Sequence, residues 1–190
     1  MPAFKVGYLV GSLATGSINR RLAKALVRVA PPELELTEIP FKDLPLYSYD
    51  YDRDYPPAAT AFKDAIAAVD AVLFVTPEYN RSIPGGLKNA IDWASRPYGK
   101  NAFTRKPSAV IGTSPGKIGT AVAQQHLRSI LAFCNSPLMN SLEAYIQFED
   151  GLITEDGHVS NDSTREFLQN YMVEFHGFVA RVYTALPRHT

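Results

Sequence analysis

Apolar residues fall along this chain in short runs separated by longer amphipathic stretches. Lys5-Val6-Gly7-Tyr8-Leu9-Val10 is a mostly apolar run closed by Gly11-Ser12, which predicts a strand. Leu22, Ala23, Leu26 and Val29 recur at helical spacing and predict a helix over 17–29. Pro31-Pro32 closes it, because proline cannot continue a helix. Leu34 to Ile39 alternates with period two and reads as a strand with one wetter face. A segment rich in Pro, Tyr and Asp over 40–57 is long for a loop in a compact domain. The pattern then resumes with a helix over 58–69 and a buried strand over 71–75. A loop over 76–83 leads into a helix beginning near Pro84, and proline suits a first helical turn. Ser108 to Gly112 predicts a fourth strand, 113–117 a loop and 118–133 a helix. A fifth strand is expected within 137–148 and a last helix over 163–186.

Strands alternating with helices at this spacing argue for βαβ units and a parallel sheet. Five strands with helices on both faces fit either strand order common in such folds; at this length the expected fold is α/β, a flavodoxin-like, doubly wound, five-stranded parallel sheet of order 2-1-3-4-5 with helices on both faces. Its 190 residues supply one sizeable core and no internal repeat or linker, so a single domain over 1–190 is expected. In such sheets ligands bind beyond the carboxyl ends of the strands, at the switch point between the first and third. Three loops then matter: 11–19, 77–82 and 113–119.

Composition narrows the partners. Nineteen basic and nineteen acidic side chains cancel, which offers no electrostatic footprint for nucleic acid or an anionic membrane surface. Arg20, Arg21, Lys24 and Arg28 read as the wet side of one helix. No apolar run approaches the ~20 residues needed to span a bilayer, and no basic–apolar–small leader pattern opens the chain, so the expectation is a cytoplasmic protein. Cys134 stands alone inside an apolar run, which reads as a buried inert thiol and excludes an internal disulfide or a cysteine zinc site. His126, His158, His176 and His189 are scattered, and no metal-ligand spacing occurs. The sequons at Asn80 and Asn161 read as chance matches.

The loops carry the candidate chemistry. Gly11-Ser12-Leu13-Ala14-Thr15-Gly16-Ser17-Ile18-Asn19 lies between a strand and a helix, where backbone amides and the hydroxyls of Ser12, Thr15 and Ser17 can hold a phosphate. The bland alternative is a tight turn with Ser17 as helix cap. The spacing mimics a P-loop, but Ser17 stands where the lysine belongs, which argues against nucleoside triphosphate chemistry. Gly112-Thr113-Ser114-Pro115-Gly116 matches the nucleophile elbow of serine hydrolases, with Asp156 and His176 following in the required order. That elbow uses the amide after the serine as an oxyanion donor, and Pro115 has none. Good phosphate loops without an evident acid–base team suit a cofactor that carries the chemistry itself.

Pro77-Glu78-Tyr79-Asn80-Arg81-Ser82-Ile83-Pro84-Gly85-Gly86-Leu87-Lys88-Asn89-Ala90-Ile91-Asp92-Trp93 closely resembles the P-E-Y-N-x-S-x-P-G-x-L-K-N-A-I-D-W segment of the NADPH-dependent FMN reductases. That family includes quinone, chromate and azo-dye reductases. The first loop is similar to its G-S-L-R-x-x-S-x-N phosphate loop, and the resemblance runs from about Val6 to Phe133. It implies that Ser12, Ser17 and Asn19 hold the FMN phosphate, with Gly11 and Ile18 beside them among the cofactor-binding residues. Pro77, Glu78, Tyr79 and Asn80 would line the ribityl chain and ring edge, with Ser82 nearby, and Ser114 and Gly116 would approach from the fourth strand. It further implies no catalytic side chain beyond the flavin. NADPH or NADH would be the donor, a small acceptor (quinone, flavin, azo compound or metal oxyanion) would take the electrons, and the assembly would be a homodimer or homotetramer. Ala14 departs from the family, which often has arginine there, and leaves the phosphate to amides and hydroxyls. The segment Tyr47 to Asp52 is a candidate wall for the acceptor pocket, or a surface loop with aromatic anchors. A flavodoxin-type electron carrier is the alternative in another class, although such carriers tend to be strongly acidic.

Overall fold

The computed structural model describes residues 2–187. Five parallel strands form one sheet in the order β2-β1-β3-β4-β5, the expected arrangement. They are β1 (Phe4–Val10), β2 (Leu34–Glu38), β3 (Ala71–Val75), β4 (Ser108–Ser114) and β5 (Tyr145–Gln147). Between and after them run α1 (Ile18–Val29), α2 (Pro57–Ala67), α3 (Gly85–Ser95), α4 (Ala121–Phe133) and α5 (Asp162–Ala185). The central strand β3 is buried at every position, as a parallel strand covered on both faces must be. Its alternating side chains divide between two cores. Ala71, Leu73 and Val75 join α1 and α5 on one face, while Val72 and Phe74 join α2, α3 and α4 on the other.

Some boundaries differ from those the pattern predicts. The fourth strand continues through Thr113 and Ser114, because its last three residues, Gly112 to Ser114, pair with Tyr145, Ile146 and Gln147. That late partner is invisible to local periodicity. The fourth helix starts at Ala121 rather than 118, after Gly119 turns the chain at φ +61°. The final helix begins one residue earlier than expected, where the Asn161 side chain accepts the Thr164 amide as its cap.

The basic face of α1 is not simply wet. Arg20 pairs with Glu38, Arg21 with Glu155 and Arg28 with Asp156, and Lys24 Nζ donates to the Glu155 carbonyl. Arg21, Lys24 and Arg28 strap the segment after β5 onto the helix, and Arg20 ties the helix to the end of β2. The face is solvent-accessible, as its sidedness predicts, and also carries these pairings.

The long segment after β2 is anchored by aromatic packing. Trp93 is fully buried, and the rings of Tyr47 and Tyr55 meet it edge-on at 5.1 Å. Its indole Nε1 donates to the Pro45 carbonyl at 2.7 Å, and Asn89 on the same helix donates to that carbonyl at 2.9 Å. Of the two readings of residues 47–52, the anchored surface loop describes this geometry. Cys134 is buried, and burial pushes its thiol above the ordinary range.

Gly112 marks the tightest approach beneath the site. A Cβ there would lie 2.1 Å from the Thr76 carbonyl oxygen and 2.3 Å from Thr120 Oγ1. Gly112→Ala should lower stability by about 3 kcal/mol, because a backbone atom has to move. Gly85→Ala, where nothing lies within 4 Å of the added carbon, should change it by less than about 1 kcal/mol. Urea denaturation midpoints of the two variants check the contrast.

Candidate active site

Three loops meet at the carboxyl edge of the sheet, after β1, β3 and β4, and specific contacts lash them together. Gly11 donates its amide to the Val75 carbonyl at 2.8 Å, and a side chain there would strike Thr76 Oγ1 at 2.8 Å and Pro77 at 3.2 Å. Glycine at this position lets the first loop lie against the second. Asn19 is buried and bonds Thr113 twice, its Nδ2 donating to the carbonyl at 2.9 Å and its Oδ1 accepting the amide at 3.0 Å. The first helical turn of α1 is thereby fixed to β4.

The first loop retains unused donors. Ser17 caps α1, its Oγ accepting the Arg20 amide, and Ser12 Oγ accepts the Ala14 amide, both at 3.4 Å. Both serines are buried, and among the described residues both oxygens only accept, so each hydroxyl proton is available to an anion. The amides of Thr15, Gly16, Ile18 and Asn19 find no acceptor among the described residues. Converging donors at a helix start are what a phosphate dianion requires. This loop fits the phosphate end of FMN without an arginine at position 14.

The second loop is a tight hairpin. Tyr79 and Ser82 exchange backbone hydrogen bonds at 2.9 and 3.0 Å, while Asn80 and Arg81 both take positive φ, 52° and 62°. Two central residues of this kind define a type I′ turn. Asn tolerates the left-handed region, but Arg81 is an uncommon occupant. Its guanidinium is held by Glu78 Oε1 at 3.0 Å. The other oxygen, Glu78 Oε2, accepts the amides of Val122 and Ala123, each at 3.1 Å. A carboxylate on the first amides of α4 satisfies groups that the helix leaves without partners and opposes the positive end of its dipole.

These loops bound a cleft of about 470 Å³ lined by Glu78, Asn80, Arg81, Ser114, Gly116, Lys117, Ile118 and Gly119. Four of the residues expected from the sequence thus share one wall system: Glu78, Asn80, Ser114 and Gly116. Gly11, Ser12, Ser17, Ile18 and Asn19 sit on the neighbouring first loop, and Pro77 is buried under the junction. Tyr79 is half-exposed, with its amide committed to Ser82. The amides of Glu78 and Asn80 have no acceptor among the described residues. Asn19, by contrast, directs its side chain to β4 rather than outward. Sequence reasoning missed Arg81, Lys117, Ile118 and Gly119, although Gly119 just before a helix was a legible signal. It also set aside His126, whose Nδ1 lies 3.1 Å from Ser82 Oγ.

The hydrolase alternative lacks its team. Ser114 Oγ donates to the Gly119 carbonyl at 2.6 Å. Asp156 pairs with Arg28, and His176 meets the Pro2 carbonyl ahead of β1, at the far edge of the sheet. His189 lies outside the described residues.

An α/β sheet of this order, with an open, donor-rich loop after β1 and a cleft between the loops after β3 and β4, defines a flavodoxin-like domain whose ligand site lies at the carboxyl edge of the sheet. Residues 4–150 match the NADPH-dependent FMN reductase family. The chain is 48% identical over 177 residues to a 2-hydroxy-1,4-benzoquinone reductase of a Burkholderia species, covering 93% of this chain and 97% of that one. It is 38% identical to a quinone reductase of Escherichia coli K12, covering 92% and 94%. Among solved structures, FerB, a flavoenzyme NAD(P)H:(acceptor) oxidoreductase from Paracoccus denitrificans, superposes with a TM-score of 0.90 at 44% identity, covering 94% and 98%. The chain belongs to the NADPH-dependent FMN reductase family; it is an NAD(P)H-dependent, FMN-using oxidoreductase.

Removing the Glu78 carboxylate strands two amides of α4 and one guanidinium. Glu78→Ala should destabilise the fold by about 2–3 kcal/mol, with Glu78→Gln losing less because its carbonyl still accepts; thermal denaturation of both variants measures this. Ser114, bonded to a carbonyl and without a base, should stay unlabelled by a fluorophosphonate probe, as intact-mass spectrometry would record.

Proposed function

We propose that this enzyme passes two electrons from NADPH or NADH to a quinone-type acceptor in a ping-pong cycle, with donor and acceptor using the same open cleft in turn. The observation that carries the reading is the pairing of a donor-rich loop at the start of α1 with an adjacent open cleft between the loops after β3 and β4. Ser12, Ser17 and the amides of Thr15, Gly16, Ile18 and Asn19 hold the phosphate of FMN. The amides of Glu78 and Asn80 meet the ring edge, where negative charge gathers on reduction, and Ser114 and Gly116 flank it. Bound FMN supplies hydride transfer, so the chain's task is to bind, orient and admit the two partners in sequence. Lys117 and Arg81, the latter paired with Glu78, line the cleft and leave it a net positive wall, which favours acceptors that carry or develop negative charge. The two relatives described above, one a 2-hydroxy-1,4-benzoquinone reductase and one a quinone reductase, favour quinones among possible acceptors.

The chain folds as a single flavin-binding domain and works in the cytoplasm as a homodimer or homotetramer. Its zero net charge speaks against an electron carrier that docks by acidic complementarity. The test is spectroscopic. Protein loaded with FMN and freed of excess should retain absorbance near ~450 nm, which bleaches anaerobically with NADPH or NADH and returns on adding a benzoquinone. Failure of saturating FMN to support NAD(P)H oxidation would end this reading.

A further inference from the structure

Reducing a quinone to a hydroquinone takes a hydride equivalent and one further proton. That proton needs a donor near the acceptor's oxygen. The charged groups around the cleft are mostly committed elsewhere. Glu78 holds the α4 amides and Arg81; on α3, Lys88 pairs with Asp92 at 2.8 Å; further along α4, Arg128 donates to the Met139 carbonyl and Asn140. Lys117, on the third loop, is a cation at the cleft wall. His126 is different. It is exposed on the second turn of α4, and its Nδ1 lies 3.1 Å from the hydroxyl of Ser82, on the hairpin that borders the cleft. Neither side chain has another hydrogen-bond partner among the described residues.

We propose that Ser82 and His126 form a proton-delivery arm for acceptor reduction, an assignment that rests on the reading of this cleft as the flavin and acceptor site. Ser82 touches the acceptor and is the catalytic residue; His126 acts through it as a positioning residue. The Ser82 O–H donates its proton to the carbonyl oxygen of the quinone, which becomes C–O–H, while Ser82 Oγ takes the proton from His126 Nδ1. The quinone also gains the hydride equivalent that began on NAD(P)H, so two electrons and two protons are accounted for. The exposed imidazole, left neutral, recovers its proton from water. Histidine is suited to this because its ordinary pKa lies near working pH. The short leash from helix to hairpin requires both the type I′ turn and the Glu78 anchor, which together set the height of Ser82 over α4.

The test compares wild-type holoenzyme with His126→Asn, using a benzoquinone and, separately, ferricyanide, which takes one electron at a time and binds no proton. The ratio of quinone to ferricyanide turnover should fall at least about tenfold in the variant. The pH dependence of quinone turnover between about pH 5 and 8 should flatten, and the rate of flavin bleaching by NADH should stay unchanged. Outside turnover, the NMR titration of the His126 ring protons should move when Ser82 is replaced in Ser82→Ala. An unchanged ratio with an unchanged pH profile overturns the proposal, as does a His126 titration indifferent to Ser82→Ala. A wild-type protein whose added flavin neither nucleotide bleaches overturns the flavin reading itself and the proton arm with it, a result distinct from either of the others.

Discussion

The geometry of the active edge depends on the buried carboxylate of Glu78 seated on the first amides of α4. One side chain there ties the hairpin after β3 to the helix after β4, across forty-odd residues of sequence, at 3.1 Å to each of two amides. Helix starts are electrostatically demanding, because their leading amides have no acceptor in the helix. At α4 the chain meets that demand internally. At α1 it does not: Ser17 caps one amide and several others remain open. Among the described residues, a satisfied helix start and an open one thus lie side by side on a single sheet edge.

Around that anchor the fold places rigidity where function needs it. Asn19 bonds β4 twice, Gly11 packs loop against loop, and Gly112 admits the Thr76 carbonyl where no other residue fits. The hairpin at 79–82 accepts a left-handed arginine, a conformation that costs free energy and persists because Glu78 and two backbone bonds hold it. Local strain next to a binding cleft is a common arrangement, since a preorganised wall does not have to reorder when a ligand arrives. Positive charge from Arg81 and Lys117 then faces an otherwise neutral molecule, so the field at the cleft is local rather than global.

A cofactor that performs the redox step relieves the protein of nucleophiles and metal ligands, and the remaining side chains specialise in position and charge. That division explains why Ser114, which sits in a hydrolase-like sequence context, is spent on the Gly119 carbonyl. It also explains why the chain's other titratable candidates, Asp156 and His176, serve a strap and an N-terminal contact instead.

Sequence alone determined the alternation of strands and helices, the strand order, and the three loops that carry the site. Each rests on short-range patterning: apolar periodicity, proline and glycine stops, and the motif from Pro77 to Trp93. It also identified twelve candidate residues, of which Glu78, Asn80, Ser114 and Gly116 share one cleft and Gly11 to Asn19 form the neighbouring loop. What it misjudged depended on distant partners. The end of β4 is set by β5, and His126 meets Ser82 across a helix–hairpin gap, while the wet face of α1 also carries pairings to Glu155 and Asp156 that its pattern does not show. Periodicity records which face of an element is polar; only the tertiary structure decides whether that face meets water or another charge, because the partner is supplied by a different part of the chain.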